Sequence, residues 1–309
     1  MQDDFLGAGE WMPGAAKGCM AALLADDKSV NFALCLFMRP FMLKTVLMRR
    51  MLPMALARAL ALAGALGTAQ MAFARPEAPA LVAAAANMQS ALTELLPVFE
   101  KQGKGTISLS LGSSANLVRQ IQQGLPAQLF LSADEDFAYQ LADSGLTPDR
   151  GVVYAIGRLV LVVPKGSALR LDAQLAGLKD ALNSAPGSVQ KFAIANPELA
   201  PYGKAAVQAL QKQAAWPLVQ PKLVMGESIA QATQFVSSGA ASAGISALAL
   251  VLAPTVADRV RYVVVARELH APIRQRMVLL KTAGPAARAF YEFLQSPAAK
   301  LVLQRHGYE

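Results

Sequence analysis

Cysteine is almost missing from this 309-residue chain. Its two copies, Cys19 and Cys35, both stand within the first 74 residues. Those residues do not read as part of a folded domain. Lys44, Arg49, Arg50 and Arg58 form a scattered basic stretch, followed by the apolar run Ala59 to Gly67. The stretch closes on Ala72-Phe73-Ala74, the small-x-small pattern that signal peptidase accepts. The apolar run, about 10 residues, is too short for a bilayer core that needs about 20. A secretory signal cleaved after Ala74 is therefore expected. Residues 1–42 carry several Met and no sustained period, so translation is expected to start at Met42 or Met48.

Without residues 1–74 the chain has no cysteine. Disulfides, a thiol nucleophile and Cys-based metal sites are excluded. Histidine is as scarce: His270 and His306 stand far along the chain with no ligand-like spacing. Charged residues make up only 16%. Of 29 basic and 21 acidic residues, seven and five fall in 1–74, which leaves 22 and 16 and a net charge of +6. The basic residues are dispersed and not interleaved with aromatics, so nucleic acid is not an expected partner. A mild positive balance suits the steering of an anion. No Gly-rich phosphate loop is present. A hydrolytic enzyme would need a nucleophile beside a base, or a metal cluster, and neither is visible. Asp134-Glu135-Asp136 reads as charge favourable to the start of a helix. No enzyme activity, no cofactor and no metal-cation site are expected.

What is present is an alternation of short apolar strands and amphipathic helices, the pattern of an α/β fold with mostly parallel sheets. Strands are expected over 81–85, 107–111, 128–131, 159–163, 192–195, 223–225, 243–245, 262–265 and 277–280. Helices are expected after most of them, with Asn87 as the cap of the first, and two more at 286–294 and 298–304. Residues 75–309 are enough for two lobes around one cleft. The chain is expected to cross between lobes near Arg158 and Arg267, giving 75–157 with 267–309 as one lobe and 158–266 as the other.

Four strand-to-helix turns share small or hydroxylated residues: Ala86-Asn87, Ser113-Ser114, Pro201-Tyr202-Gly203 and Glu227-Ser228-Ile229. Helix N-termini offer unpaired N–H groups and a positive dipole end, so each is a potential anion subsite. In open α/β sheets such turns gather at the carboxyl ends of the strands. Any one of them alone is more commonly a helix cap.

Taken in order, the segments around these turns resemble the molybdate-binding proteins of ABC importers. They are Ala83 to Asn87, Gly112-Ser113-Ser114-Ala115-Asn116-Leu117-Val118-Arg119-Gln120-Ile121, Gly124 to Ala127, Leu129 to Asp134, Asn196-Pro197, Pro201 to Ala206, and Gly226 to Gln231. The similarity covers nearly all of residues 80–309. It implies a two-lobed type II periplasmic binding protein fold, each lobe a mostly parallel sheet flanked by helices, joined by two hinge crossings. It further implies an exported periplasmic protein that holds molybdate or tungstate for a membrane permease, with molybdenum present only as the bound oxyanion. Carried over by position, Asn87 and Ser114 would donate from one lobe, and the N–H groups of Tyr202 and Ile229 from the other. Ala86 stands where some members have a hydroxyl. Ser246 stands near the place where some members use a Tyr hydroxyl, and Gln128 where many have Asp. A monomer is expected. The same fold could hold sulfate, thiosulfate, phosphonate or an organic acid. A carboxylate ligand would call for a bidentate Arg, and Arg119, Arg158 and Arg274 all lie outside the four turns.

Overall fold

The computed structural model describes residues 78–184 and 187–309. The expected signal segment, its cleavage after Ala74, and Cys19 and Cys35 lie outside the described residues. Two five-stranded sheets organise the rest. The first has the order β2-β1-β3-β10-β4, built from β1 (Ala80–Ala85), β2 (Ile107–Gly112), β3 (Leu129–Leu131), β4 (Val152–Gly157) and β10 (Ile273–Leu279). The second has the order β7-β6-β8-β5-β9, built from β5 (Leu159–Pro164), β6 (Phe192–Ala195), β7 (Leu223–Gly226), β8 (Ala243–Ala247) and β9 (Val260–Val264). β1, β2 and β3 run parallel, as do β6, β7 and β8, while β10 and β5 are antiparallel to their neighbours. Only Arg158 separates β4 from β5, so the chain changes sheets there. It returns between β9 and β10, past a 3-10 turn at Arg267–Leu269.

The strands β1, β3, β5 and β6 are buried on both faces, which is why they are apolar runs without alternation. In β1, Val82 and Ala84 face a core with Leu92, Leu95 and Phe99 of α1 (Gln89–Glu100). There Phe99 meets Phe290 of α7 (Pro285–Leu294), ring edge to ring face at 5.0 Å. On the opposite face, Ala83 joins Leu117, Val118 and Ile121 of α2 (Ser114–Gln122) and Leu141 of α3 (Asp136–Asp143). The second sheet divides likewise: Leu159, Leu161 and Val163 enter one core, and Val160 and Val162 the other. It is flanked by α4 (Ala176–Ser184), α5 (Pro201–Lys212) and α6 (Ile229–Ser237). The chain ends on α8 (Pro297–Arg305).

Three elements differ from expectation. β4 had not been anticipated: it runs into β5 with one residue between, and apolarity carries no mark where a chain changes sheets. α4 was missed as well. β10 begins four residues before the apolar run at Met277, because its first half reads Ile273-Arg274-Gln275-Arg276. Gln275 is fully buried there, a polar side chain facing inward that hides the strand.

Candidate functional site

Helix α2 begins at Ser114, α5 at Pro201 and α6 at Ile229. The first residues of all three line one small cavity between the sheets. Ala86 and Asn87, in a 3-10 turn that follows β1, complete it with Ser113 and Ala133. About 10 Å³ of it is open to the centre of a water molecule. Its lining includes no charged side chain. It adjoins a wider cleft of about 980 Å³, bordered by Ser90, Thr93, Asn116, Glu227, Gln231 and His306.

The local backbone explains the donors. Ser114 and Ile229 are the first residues of their helices and Tyr202 the second, so their N–H groups have no intrahelical acceptor. The Ala115 N–H is taken, by the Leu199 carbonyl at 3.1 Å, a main-chain contact that ties α2 to the loop before α5. Gly203 lets α5 pack against the end of β6: a Cβ there would stand 2.2 Å from the Ala195 carbonyl oxygen. Ser114 Oγ accepts from the Ala133 N–H at 3.1 Å. That bond orients the hydroxyl and leaves its own proton to donate.

Asn87 departs from its expected place as a cap. Residues Ala86–Met88 form the 3-10 turn, α1 starts at Gln89, and no side chain caps either. Its Nδ2 instead donates to Gln275 Oε1 and to Tyr308 Oη, both at 2.9 Å. Both amide hydrogens are thereby used, and Oδ1 is buried without a partner. Tyr154 also donates to Gln275 Oε1 at 2.9 Å, and Gln275 Nε2 donates to Tyr202 Oη at 3.0 Å. Burial pushes the hydroxyls of Tyr154, Tyr202 and Tyr308 above the usual phenol range, so all three remain neutral.

Of the candidate residues, Ala86, Asn87, Ser114, Tyr202 and Ile229 meet at this cavity, and Ser246 does not. Ser246 is buried with its Oγ 2.5 Å from that of Thr233, held against α6. Ala86 supplies no hydroxyl. Gln128 accepts from the Gly284 N–H at 2.9 Å, a structural contact. Sequence reasoning named Ser113 only as part of a turn, and missed Tyr154, Gln275 and Tyr308. Ser113 is 4% exposed, its hydroxyl has no partner, and it makes no capping bond to α2 although it is the N-cap. The Ser113-Ser114 doublet was the signal for it.

The acidic run is elsewhere. Asp134 accepts from the Phe137 N–H at 3.1 Å, and burial raises its carboxyl to about 6. Glu135 pairs with Arg274 and Arg276. Among the described residues no group of three His, Cys, Asp or Glu could hold a metal ion.

Residues 80–309 match the family model of bacterial extracellular solute-binding proteins. The molybdate-binding protein ModA of Azotobacter vinelandii is 36% identical over 247 residues, 79% of this chain and 95% of that protein. ModA of Rhodobacter capsulatus is 34% identical over 231 residues, 74% of this chain and 87% of that one. The solved structure of the Azotobacter vinelandii periplasmic molybdate-binding protein superposes with a TM-score of 0.66 at 30% identity, covering 74% of this chain and 98% of its own. These relatives are binding proteins, not enzymes, and the family works outside the cytoplasm. The chain belongs to the bacterial extracellular solute-binding proteins, in the family of the ModA molybdate-binding proteins.

Proposed function

We propose that the mature chain is an exported, non-enzymatic, monomeric binding protein. It captures molybdate or tungstate between its lobes and presents it to the membrane permease of an ABC importer. The lobes are residues 75–157 with 267–309, and 158–266, and export is through a signal peptide cleaved after Ala74. The observation that carries this reading is the cavity's chemistry: helix N-termini from both sheets, hydroxyls, and no charged side chain.

Such a site suits a small dianion. Each neutral donor makes a charge-assisted hydrogen bond without a buried counter-charge, worth about 1.5–3 kcal/mol. The Ser114 hydroxyl and the N–H groups of Ser114, Tyr202 and Ile229 are the proposed donors. Hydrogen phosphate carries a proton that N–H groups cannot accept, so it is disfavoured. Molybdate and tungstate differ little in shape, and both are proposed ligands.

Calorimetric titration with molybdate, tungstate, sulfate and phosphate tests the reading. The expected order is molybdate and tungstate far tighter than sulfate, with phosphate weakest. Preference for sulfate, or no heat with any of the four, overturns it.

A further inference from the structure

Helix α8 stops at Arg305, and the chain turns on Gly307, whose φ is +80°. The helix end sets that turn: Gly307 N–H donates to the Gln304 carbonyl at 2.9 Å and Tyr308 N–H to the Leu303 carbonyl at 3.1 Å, a common way to close a helix. Residues 307–309 then reach three places in succession. A Cβ on Gly307 would lie 2.6 Å from Leu248, on the short helix that follows β8 of the second sheet. Tyr308 is buried, and its Oη donates to the main-chain carbonyl of Asn87 at 2.8 Å and lies 2.9 Å from the Asn87 side-chain amide. Glu309 exchanges two main-chain bonds with Ile156 on the outer edge of β4, at 2.7 and 3.0 Å. Its carboxylate accepts from Arg158 at 2.6 Å and from Arg267. Those arginines mark the two places where the chain passes between the sheets.

We propose that Tyr308 and Glu309 form a strap that positions the anion site, with Tyr308 holding the Asn87 turn from behind and Glu309 anchoring Tyr308 to the crossings. The proposal rests on the anion-binding reading above. Neither residue lines the cavity, whereas Asn87 does, so both are positioning residues that act through it. A main-chain carbonyl can only accept, so the bond from Tyr308 has one direction. It fixes the main chain at Asn87, and with it the way the Ala86–Met88 turn faces the anion. Groups held in place before a ligand arrives lose less freedom on binding. The Glu309 side chain is 36% exposed, so its ion pairs contribute little by themselves. What they supply is a fixed end for the strap.

The test is a double-mutant cycle read by molybdate titration: parent protein, Tyr308→Phe, Glu309→Ala and the double variant. Tyr308→Phe keeps the ring in its core and removes only the hydroxyl. Glu309→Ala keeps both main-chain bonds to Ile156. Tyr308→Phe is expected to weaken binding about ten-fold, and Glu309→Ala about two- to five-fold. A residue that acts through the Tyr308 hydroxyl adds nothing once that hydroxyl is gone, so the double variant is expected to match Tyr308→Phe. Losses that multiply, or an unchanged affinity in Tyr308→Phe, overturn the strap while leaving the anion-binding reading intact. A parent that binds neither molybdate nor tungstate overturns both. Leu294→Ala, in the same core on α7, separates positioning from stability. It is expected to lower the melting temperature of the ligand-free protein and to leave the dissociation constant unchanged where all variants are folded. If it weakens binding as much as Tyr308→Phe does, the positioning role is overturned.

Discussion

Tyr202 and Gln275 belong to elements packed on different sheets and are joined by one buried hydrogen bond, Nε2 to Oη at 3.0 Å. Gly157, the last residue of β4, makes room for it. A Cβ on Gly157 would lie 2.1 Å from Tyr202 Oη and 2.8 Å from Gln275 Nε2. The point where the chain changes sheets is thus the point where the two sides of the cavity are tied.

Gly157→Ala should therefore disturb binding. Overpacking of this kind costs about 1–3 kcal/mol, and the displaced Tyr202 carries a proposed ligand donor at its N–H. Titration of the variant with molybdate is expected to show affinity at least about ten-fold weaker. An unchanged dissociation constant would mean that the tie does not govern the site.

The serine doublet separates ligand contacts from helix capping. Ser114→Ala removes a hydroxyl already oriented by the Ala133 N–H, and should weaken molybdate binding by about ten- to a hundred-fold. Ser113 is an N-cap whose hydroxyl caps nothing. Its change to alanine should cost less than the usual ~1 kcal/mol of a lost cap, yet still weaken binding, because the free hydroxyl lines the cavity. Chemical denaturation and titration of the same variant check both halves. Normal affinity with lowered stability would make Ser113 a cap after all.

How much of this was legible in the sequence depended on burial. The strands β1, β5 and β6 are wholly buried or nearly so, and their apolar runs announced them. The turns at Ser113-Ser114, Pro201-Tyr202 and Ser228-Ile229 were legible because small or hydroxylated residues open helices there, in an order that resembles a known family. The network behind the site was not. Tyr154, Gln275 and Tyr308 are remote from one another in the chain, and each read alone is an ordinary core or surface residue. Pairing β10 with β4, in a register that shifts between Gln275 and Arg276, sets Gln275 beside Tyr154, and the main-chain bonds between Ile156 and Glu309 bring in Tyr308. Asn87 illustrates the same limit: residue type suggested a cap, whereas its amide is engaged by side chains 188 and 221 positions away.

Asp134 predicts a pH dependence. Burial raises its carboxyl to about 6 from 3.8, so between those values the folded protein holds a proton that the unfolded chain has released. Its contribution to stability is fully present below about pH 4 and is lost as pH rises through about 6. Asp134→Asn keeps an acceptor for the Phe137 N–H and removes the titration. The variant should gain stability relative to the parent between pH 4 and 7.5, by up to about 2–3 kcal/mol. Thermal melts across that range check the sign. A difference that stays constant with pH would show that Asp134 is not the group responsible.

The central claim is that the oxyanion sits among the helix N-termini, not in the wider cleft beside it. Anomalous diffraction at the molybdenum edge, from crystals grown with molybdate, locates the metal atom directly. The expected result is a single strong peak in the cavity lined by Asn87, Ser114, Tyr202 and Ile229, with ligand oxygens about 2.7–2.9 Å from the Ser114, Tyr202 and Ile229 nitrogens. A peak in the outer cleft near Glu94 and His306, or no ordered peak in a saturated crystal, would contradict it.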